Sequence, residues 1–272
     1  MNDRAPGASG PLQPDALRKR LAAGRFGKRI FYLPETGSTN VFAYRRAQEG
    51  GAEGEIVIAE TQTHGKGRLG RQWVSPPYMN LYMSVILRPT LAPADTPQIT
   101  LASAVALAET VESFASFRPE IKWPNDILVE RKKLAGILAE SCCDRSRVLF
   151  VIVGIGVNLN FPLESMPERI RERATSLWML TRKPVDRTAF AGQLIQNLDR
   201  CYGDLAEKGF AFTAQRWESY FRLKGERVRV ELPDQPICGK ALGVDADGAL
   251  LVEEEGGRIR RVVAGDVNPV EP

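Results

Sequence analysis

The chain has 272 residues, 43% of them hydrophobic and 26% charged, which is enough for one large domain with a sizeable core plus a small second one. No apolar run approaches the ~18 residues of a membrane span, and the start, M-N-D-R-A-P-G-A-S-G-P, has no apolar stretch of signal-peptide length, so a cytoplasmic protein with no membrane attachment is expected. The net charge of +4 is concentrated in the first 30 residues, where Arg4, Arg18, Lys19, Arg20, Arg25, Lys28 and Arg29 face only Asp3 and Asp15.

Residues 1–13 read as disordered, and Pro14–Ala23 as a short helix within a basic arm, 1–28. Apolar, β-prone segments follow at 29–33, 55–59, 80–87, 134–143 and 147–157, the last two flanking the polar turn Asp144-Arg145-Ser146 as a hairpin. Ser38-Thr39-Asn40 supplies N-cap residue types for a helix over 39–49. Apolar residues recurring every three or four positions predict helices over 97–115 and 187–208. From Gly225 onward, short apolar runs alternate with turn signals (P-D-Q-P, Asp247-Gly248, G-G), which predicts five short strands in a small β-barrel. The domain limits read as 29–222 and 223–272.

Cys142 and Cys143 are adjacent, Cys201 and Cys238 are isolated, and no C-x-x-C occurs; with His64 the one histidine, a zinc site lacks ligands. These thiols, and His64 itself, are expected to have no catalytic part.

Residues 65–73 read G-K-G-R-L-G-R-Q-W, and Gly65, Gly67 and Gly70 spell the dinucleotide fingerprint. That reading needs a helix directly afterwards and an acidic residue about 20 positions on, whereas Pro76-Pro77 forbids the helix and position 90 is threonine. A Walker A loop fails too, because Lys66 precedes Gly67. What remains is a glycine-rich loop with Lys66, Arg68 and Arg71, suited to a polyphosphate, or else a basic surface loop or an RNA contact.

A second segment narrows the choice. Residues 121–140 read I-K-W-P-N-D-I-L-V-E-R-K-K-L-A-G-I-L-A-E; Pro124 stops a strand, Asn125-Asp126 turns it, and the chain returns through Lys132-Lys133 into an apolar strand. Three further pieces join it: G-S-T-N at 37–40, A-E-T-Q-T at 59–63 and V-G-I-G-V-N-L-N at 153–160. In order and spacing the five pieces resemble the biotin protein ligases over roughly residues 30–270. One departure is Lys66, where the family usually has arginine; the charge is kept and the planar fork lost.

The resemblance implies an α/β (α+β) catalytic domain with a mixed sheet, followed by an SH3-like barrel. It implies the use of biotin and MgATP to make biotinyl-5′-adenylate and pyrophosphate, and then transfer of biotin to a lysine of a biotin carboxyl carrier protein of acetyl-CoA carboxylase or a related carboxylase. By the same resemblance, Lys133 is the cation at the carboxylate–phosphate junction, and Arg68 holds the adenylate from the glycine loop. Arg71 and Gly65 meet the phosphates, with Asp126 and Asn158 as phosphate or magnesium contacts, although a turn aspartate and a strand-end asparagine also serve purely structural ends. Ser38, Thr39, Asn40 and Gln62 match the ureido-binding positions. Lys66, Gly67, Gly136, Gly154 and Gly156 complete the biotin site, and Trp73 packs either on the biotin chain or in the core. No residue is assigned as a dedicated metal ligand.

Two rivals stand beside this reading. A lipoate or octanoate ligase of the same superfamily shares a lysine before a glycine strand but lacks K-W-P-N-D. A nucleic-acid-binding protein would use the basic arm and loop; some biotin ligases are also repressors, but about 28 residues before the first strand leave no room for a recognition helix. A monofunctional ligase without specific DNA binding is therefore expected, with its oligomeric state open and a homodimer among the alternatives. Loop 63–78 is expected to be mobile without ligand, since its three cations repel one another unless an anion lies between them.

Overall fold

The computed structural model of the chain describes residues 9–232 and 235–270; residues 1–8 of the basic arm, Pro233 and Asp234 of the P-D-Q-P turn, and the last two residues lie outside the described residues. The first body is a seven-stranded mixed sheet in the order β1 (Ile30–Leu33), β2 (Ile56–Ala59), β3 (Leu81–Leu87), β7 (Val148–Val157), β6 (Lys132–Cys143), β5 (Asp126–Val129), β4 (Glu120–Lys122). Only β1 and β2 run parallel; every other pair is antiparallel.

Both faces of this sheet are covered, which is why β3 is buried along its whole length instead of alternating. On one face lies α2 (Thr39–Gln48), whose Ala43 and Ala47 pack with Val57, Ile86 and Ile152. The other face carries α3 (Thr96–Phe114) and α6 (Arg187–Lys208), which pack against each other and form the main core. The expected helices at 97–115 and 187–208 and the 134–157 hairpin are all present.

Two differences concern the ends of this body. Residues 9–13, expected to be disordered, are packed: Leu12 is buried, and its amide donates to Glu60 Oε1 at 2.7 Å. With Leu17 and Leu21 of α1 (Pro14–Arg20) and Phe26, Leu12 enters the main core. The described part of the basic arm is thus an outer layer of this first body, and Arg25 and Arg29 pair with Asp199 and Glu55. Beneath it, Arg187 and Glu60 form an ion pair at 2.8 Å with side chains 2% and 1% exposed.

The second difference is β5, an extra strand. Asp126 does not turn the chain but already pairs with Lys122, and the return to β6 is made at Glu130 and Arg131, both at positive φ. A two-residue turn of that hand normally advertises itself with Asn or Gly, and neither is present.

After α7 (Phe210–Glu218), Arg227–Glu231, Ile237–Val244, Leu250–Glu253, Ile259–Val262 and Asp266–Pro269 form β8 to β12, a separate antiparallel sheet in the order β11-β10-β9-β8-β12. Val228 and Val230 alternate with exposed arginines, giving it one buried face. That face joins the main core through Trp217 and Phe221, whose rings stack at 4.7 Å. The Trp123 indole donates to Gly248 O at 3.1 Å, so K-W-P-N-D also ties the two domains together.

Candidate active site

A cavity of about 680 Å3 opens on the α2 face of the sheet. Glycines at 136, 154 and 156 form its floor; close approaches require the last two, and Gly136 is tightly packed. A Cβ at Gly154 would lie 1.9 Å from Asn40 Oδ1, one at Gly156 2.5 Å from the Trp73 ring, and one at Gly136 3.1 Å from Lys133 Cε. These strand glycines let side chains from α2 and the glycine loop lie flat on the sheet.

The polar end is built at the start of α2. Ser38 occupies the N-cap position but makes no capping hydrogen bond; it lines the cavity. The Thr39 amide donates to Gln62 Oε1 at 2.9 Å, and Gln62 Nε2 donates to Ser75 Oγ at 3.1 Å. Asn40 lies against Gly154 with its amide nitrogen donating to Glu140 Oε2 at 2.7 Å and Leu138 O at 3.2 Å. All four side chains expected at the ureido end therefore converge. Trp73 lies over the glycine floor, and its indole N–H is buried without an acceptor.

At mid-cavity, Lys133 Nζ stands 2.6 Å from Asp126 Oδ1, an ion pair without the alignment of a good hydrogen bond, and 5.5 Å from the centre of the Trp73 ring. Asn158 lines the same wall, but its amide nitrogen donates to Thr175 O at 3.0 Å, so it also anchors the segment that follows β7.

The far end is cationic. Lys66 and Gly67 line the cavity, with Lys66 exposed and bridged through its backbone to Gln72. Gly65 is not part of the lining; it forms the loop's neck, its carbonyl accepting from the Trp73 amide at 2.9 Å. Arg68 donates to Asn125 Oδ1 at 3.0 Å and to Gly265 O at 3.3 Å. The anion that the loop cations were expected to need is already present in the protein. Asp266 of β12 pairs with Arg71 and approaches Arg68 at 3.6 Å. At the loop's tip Leu69 takes positive φ and is 73% exposed.

Sequence reasoning missed two segments that contribute here. Asp266 and Asn268 come from the C-terminal domain, Asn268 accepting from Lys122 Nζ at 2.8 Å. Burial holds the Lys122 ammonium below its ordinary pKa. Arg169, Ile170 and Arg173 come from the segment after β7, which includes the one-turn helix Glu168–Arg171 and has no periodicity to mark it. Among the described residues, no group of three or more His, Cys, Asp or Glu side chains is placed to hold a metal.

The Biotin/lipoate A/B protein ligase family matches residues 33–158, and the Biotin protein ligase C terminal domain matches residues 224–268. The chain is 35% identical over 258 residues to the bifunctional ligase/repressor BirA of Bacillus subtilis, covering 95% of this chain and 79% of that protein. It is 34% identical over 264 residues to the biotin–[acetyl-CoA-carboxylase] ligase of Mycobacterium tuberculosis, covering 94% and 95%. The Aquifex aeolicus biotin protein ligase in complex with biotin and ATP superimposes with a TM-score of 0.76 at 30% identity, covering 89% of this chain and 98% of that one. A mixed-sheet catalytic domain, a C-terminal antiparallel sheet, and a cavity with a polar end and a cationic end thus coincide with relatives similar along nearly the whole chain, and the chain belongs to the biotin protein ligase family.

Proposed function

We propose that this chain activates biotin with ATP to biotinyl-5′-adenylate and transfers the biotinyl group to a lysine of a biotin carboxyl carrier protein, that of acetyl-CoA carboxylase or a related carboxylase. The observation that carries the reading is a single cavity with acceptors and a hydroxyl at one end (Gln62, Thr39, Ser38), an apolar wall at Trp73, and Lys133, Arg68 and Arg71 beyond. Biotin is a cyclic urea on an apolar ring and chain that ends in a carboxylate, so its polarity runs the same way. The buried Trp73 donor is left for a ligand acceptor. A lipoyl or octanoyl chain would offer no N–H to the Thr39 oxygen or to the second lone pair of Gln62 Oε1, which disfavours that rival.

In the first step a carboxylate oxygen of biotin attacks the α-phosphorus of ATP and pyrophosphate leaves. Two anions approach each other, so Lys133 is assigned to the junction and Arg68 and Arg71 to the phosphates, where one preorganised donor contributes ~3–4 kcal/mol. Asp126 holds the Lys133 ammonium at the cavity wall until substrate oxygens replace it. Magnesium fits as an ion held mainly by the polyphosphate with Asp126 as its protein carboxylate, and when bound it neutralises phosphate charge. In the second step the acceptor amine attacks the carbonyl of the mixed anhydride, and AMP and a proton leave.

The test is ATP–pyrophosphate exchange, which is expected with biotin and absent with lipoate or octanoate. Equal exchange with lipoate would sink the assignment.

A further inference from the structure

Glu140 lies on β6 outside the cavity lining, yet its carboxylate accepts from the amide nitrogen of Asn40 at 2.7 Å. The second amide proton goes to Leu138 O at 3.2 Å, so both donors of Asn40 are committed away from the cavity. The amide oxygen must then face Ser84, whose hydroxyl oxygen is fully buried and lies 2.7 Å from Asn40 Oδ1 and 2.8 Å from Thr39 Oγ1.

Each hydroxyl has one proton. Asn40 Oδ1 can only accept, so the Ser84 proton points at it, and Ser84 Oγ accepts from the Thr39 hydroxyl. That contact is shorter than the 3.2 Å from Thr39 Oγ1 to Gln62 Oε1, where the Thr39 amide already donates. The direction of every bond in the chain Glu140–Asn40–Ser84–Thr39 is therefore set from the Asn40 amide, which Glu140 holds by the shorter, charged bond and Leu138 O by the longer one. Its consequence appears at the other end: the Thr39 oxygen, with its proton turned inward, faces ligand as an acceptor, beside the remaining lone pair of Gln62 Oε1.

From this we infer that Glu140 is a positioning residue for ligand recognition, polarising the relay so that Thr39 and Gln62 together accept the two N–H groups of a cyclic urea. The inference rests on the biotin reading of the cavity and deepens it. Selectivity for a ureido ring would then depend on a carboxylate that does not touch the ligand. A charged acceptor is suited to this, because a bond to an ionised group is stronger than a neutral one and polarisation passes along a chain of hydrogen bonds.

Calorimetric titration with biotin and with a biotin N-methylated on the ureido ring tests the inference on the unsubstituted chain, Glu140→Gln and Glu140→Ala. Biotin affinity is expected to fall about tenfold or more in Glu140→Ala, the loss associated with one hydrogen bond to a charged group. Glu140→Gln, which keeps an acceptor oxygen but not the charge, should recover part of it. The affinity cost of N-methylation should shrink in Glu140→Ala, while the KM for ATP at saturating biotin and the melting temperature stay near those of the unsubstituted chain. Unchanged biotin affinity in both variants, or an unchanged methylation cost, would overturn the positioning role. So would a parallel weakening toward ATP with a lowered melting temperature. If the unsubstituted chain bound no biotin, the biotin reading would fail and the inference with it.

Discussion

The Arg71 guanidinium is ion-paired with the Asp266 carboxylate, joining the glycine loop of the catalytic domain to the last strand of the C-terminal domain. Arg68 shares that carboxylate, so an internal anion stands where cations face the cavity. Replacing it by a neutral side chain should release the loop. Asp266→Asn is expected to speed trypsin cleavage after Lys66, Arg68 and Arg71 in the ligand-free protein, at a stability cost below about 1 kcal/mol because the Arg71 partner is largely exposed. Unchanged cleavage would show that the loop is held by something else.

The same tether leads to an expectation for ligand binding. Gly67 and Gly70 leave the loop backbone wide freedom, and the reactive anhydride has to be shielded from water. Trypsin cleavage in loop 63–78 should slow with biotin and slow further with biotin plus ATP. Identical rates under all three conditions would rule out ligand-coupled ordering.

Lys133→Ala is expected to slow adenylate formation by ~10²-fold or more while biotin binding changes less, because its charge acts on the developing junction. Stopped-flow adenylation and calorimetric biotin binding separate the two. Normal adenylation with weak biotin binding would move Lys133 out of the chemical step.

Gly154→Ala would put a methyl group 1.9 Å from Asn40 Oδ1, so Asn40 has to move. Overpacking of this kind costs about 1–3 kcal/mol. Biotin affinity should therefore fall by roughly ten- to a hundredfold, which calorimetry measures directly, with pyrophosphate exchange recovered at high biotin.

Removing one partner of the Glu60–Arg187 pair leaves a buried charge without compensation. Glu60→Leu is expected to lower stability by about 3–5 kcal/mol in urea denaturation. A loss below about 1 kcal/mol would mean that the arm opens to water at little cost.

How much of this was legible beforehand follows from the range of the interactions. Helices 97–115 and 187–208 were readable because their burial repeats with the helical period within one segment. The site motifs were readable for a related reason. Ser38-Thr39-Asn40, the glycine loop, K-W-P-N-D and G-x-G-x-N are each contiguous, with chemistry that depends on neighbours a few positions apart.

What the sequence by itself determined, then, is the set of elements, the cations and the glycines. Which groups meet was decided by tertiary structure. Leu12 reads as part of a polar tail until Glu60 and the core cover it. The Glu130–Arg131 turn is imposed by strand pairing on residues that do not ask for it. Asp266 is an ordinary acidic residue of a short strand until the C-terminal sheet packs against the first domain and brings it to Arg68 and Arg71, nearly 200 positions away. Glu140 likewise meets Asn40 across 100 positions. Such pairs leave no local periodicity, because their spacing is set by how strands and domains pack rather than by the geometry of any one helix or strand.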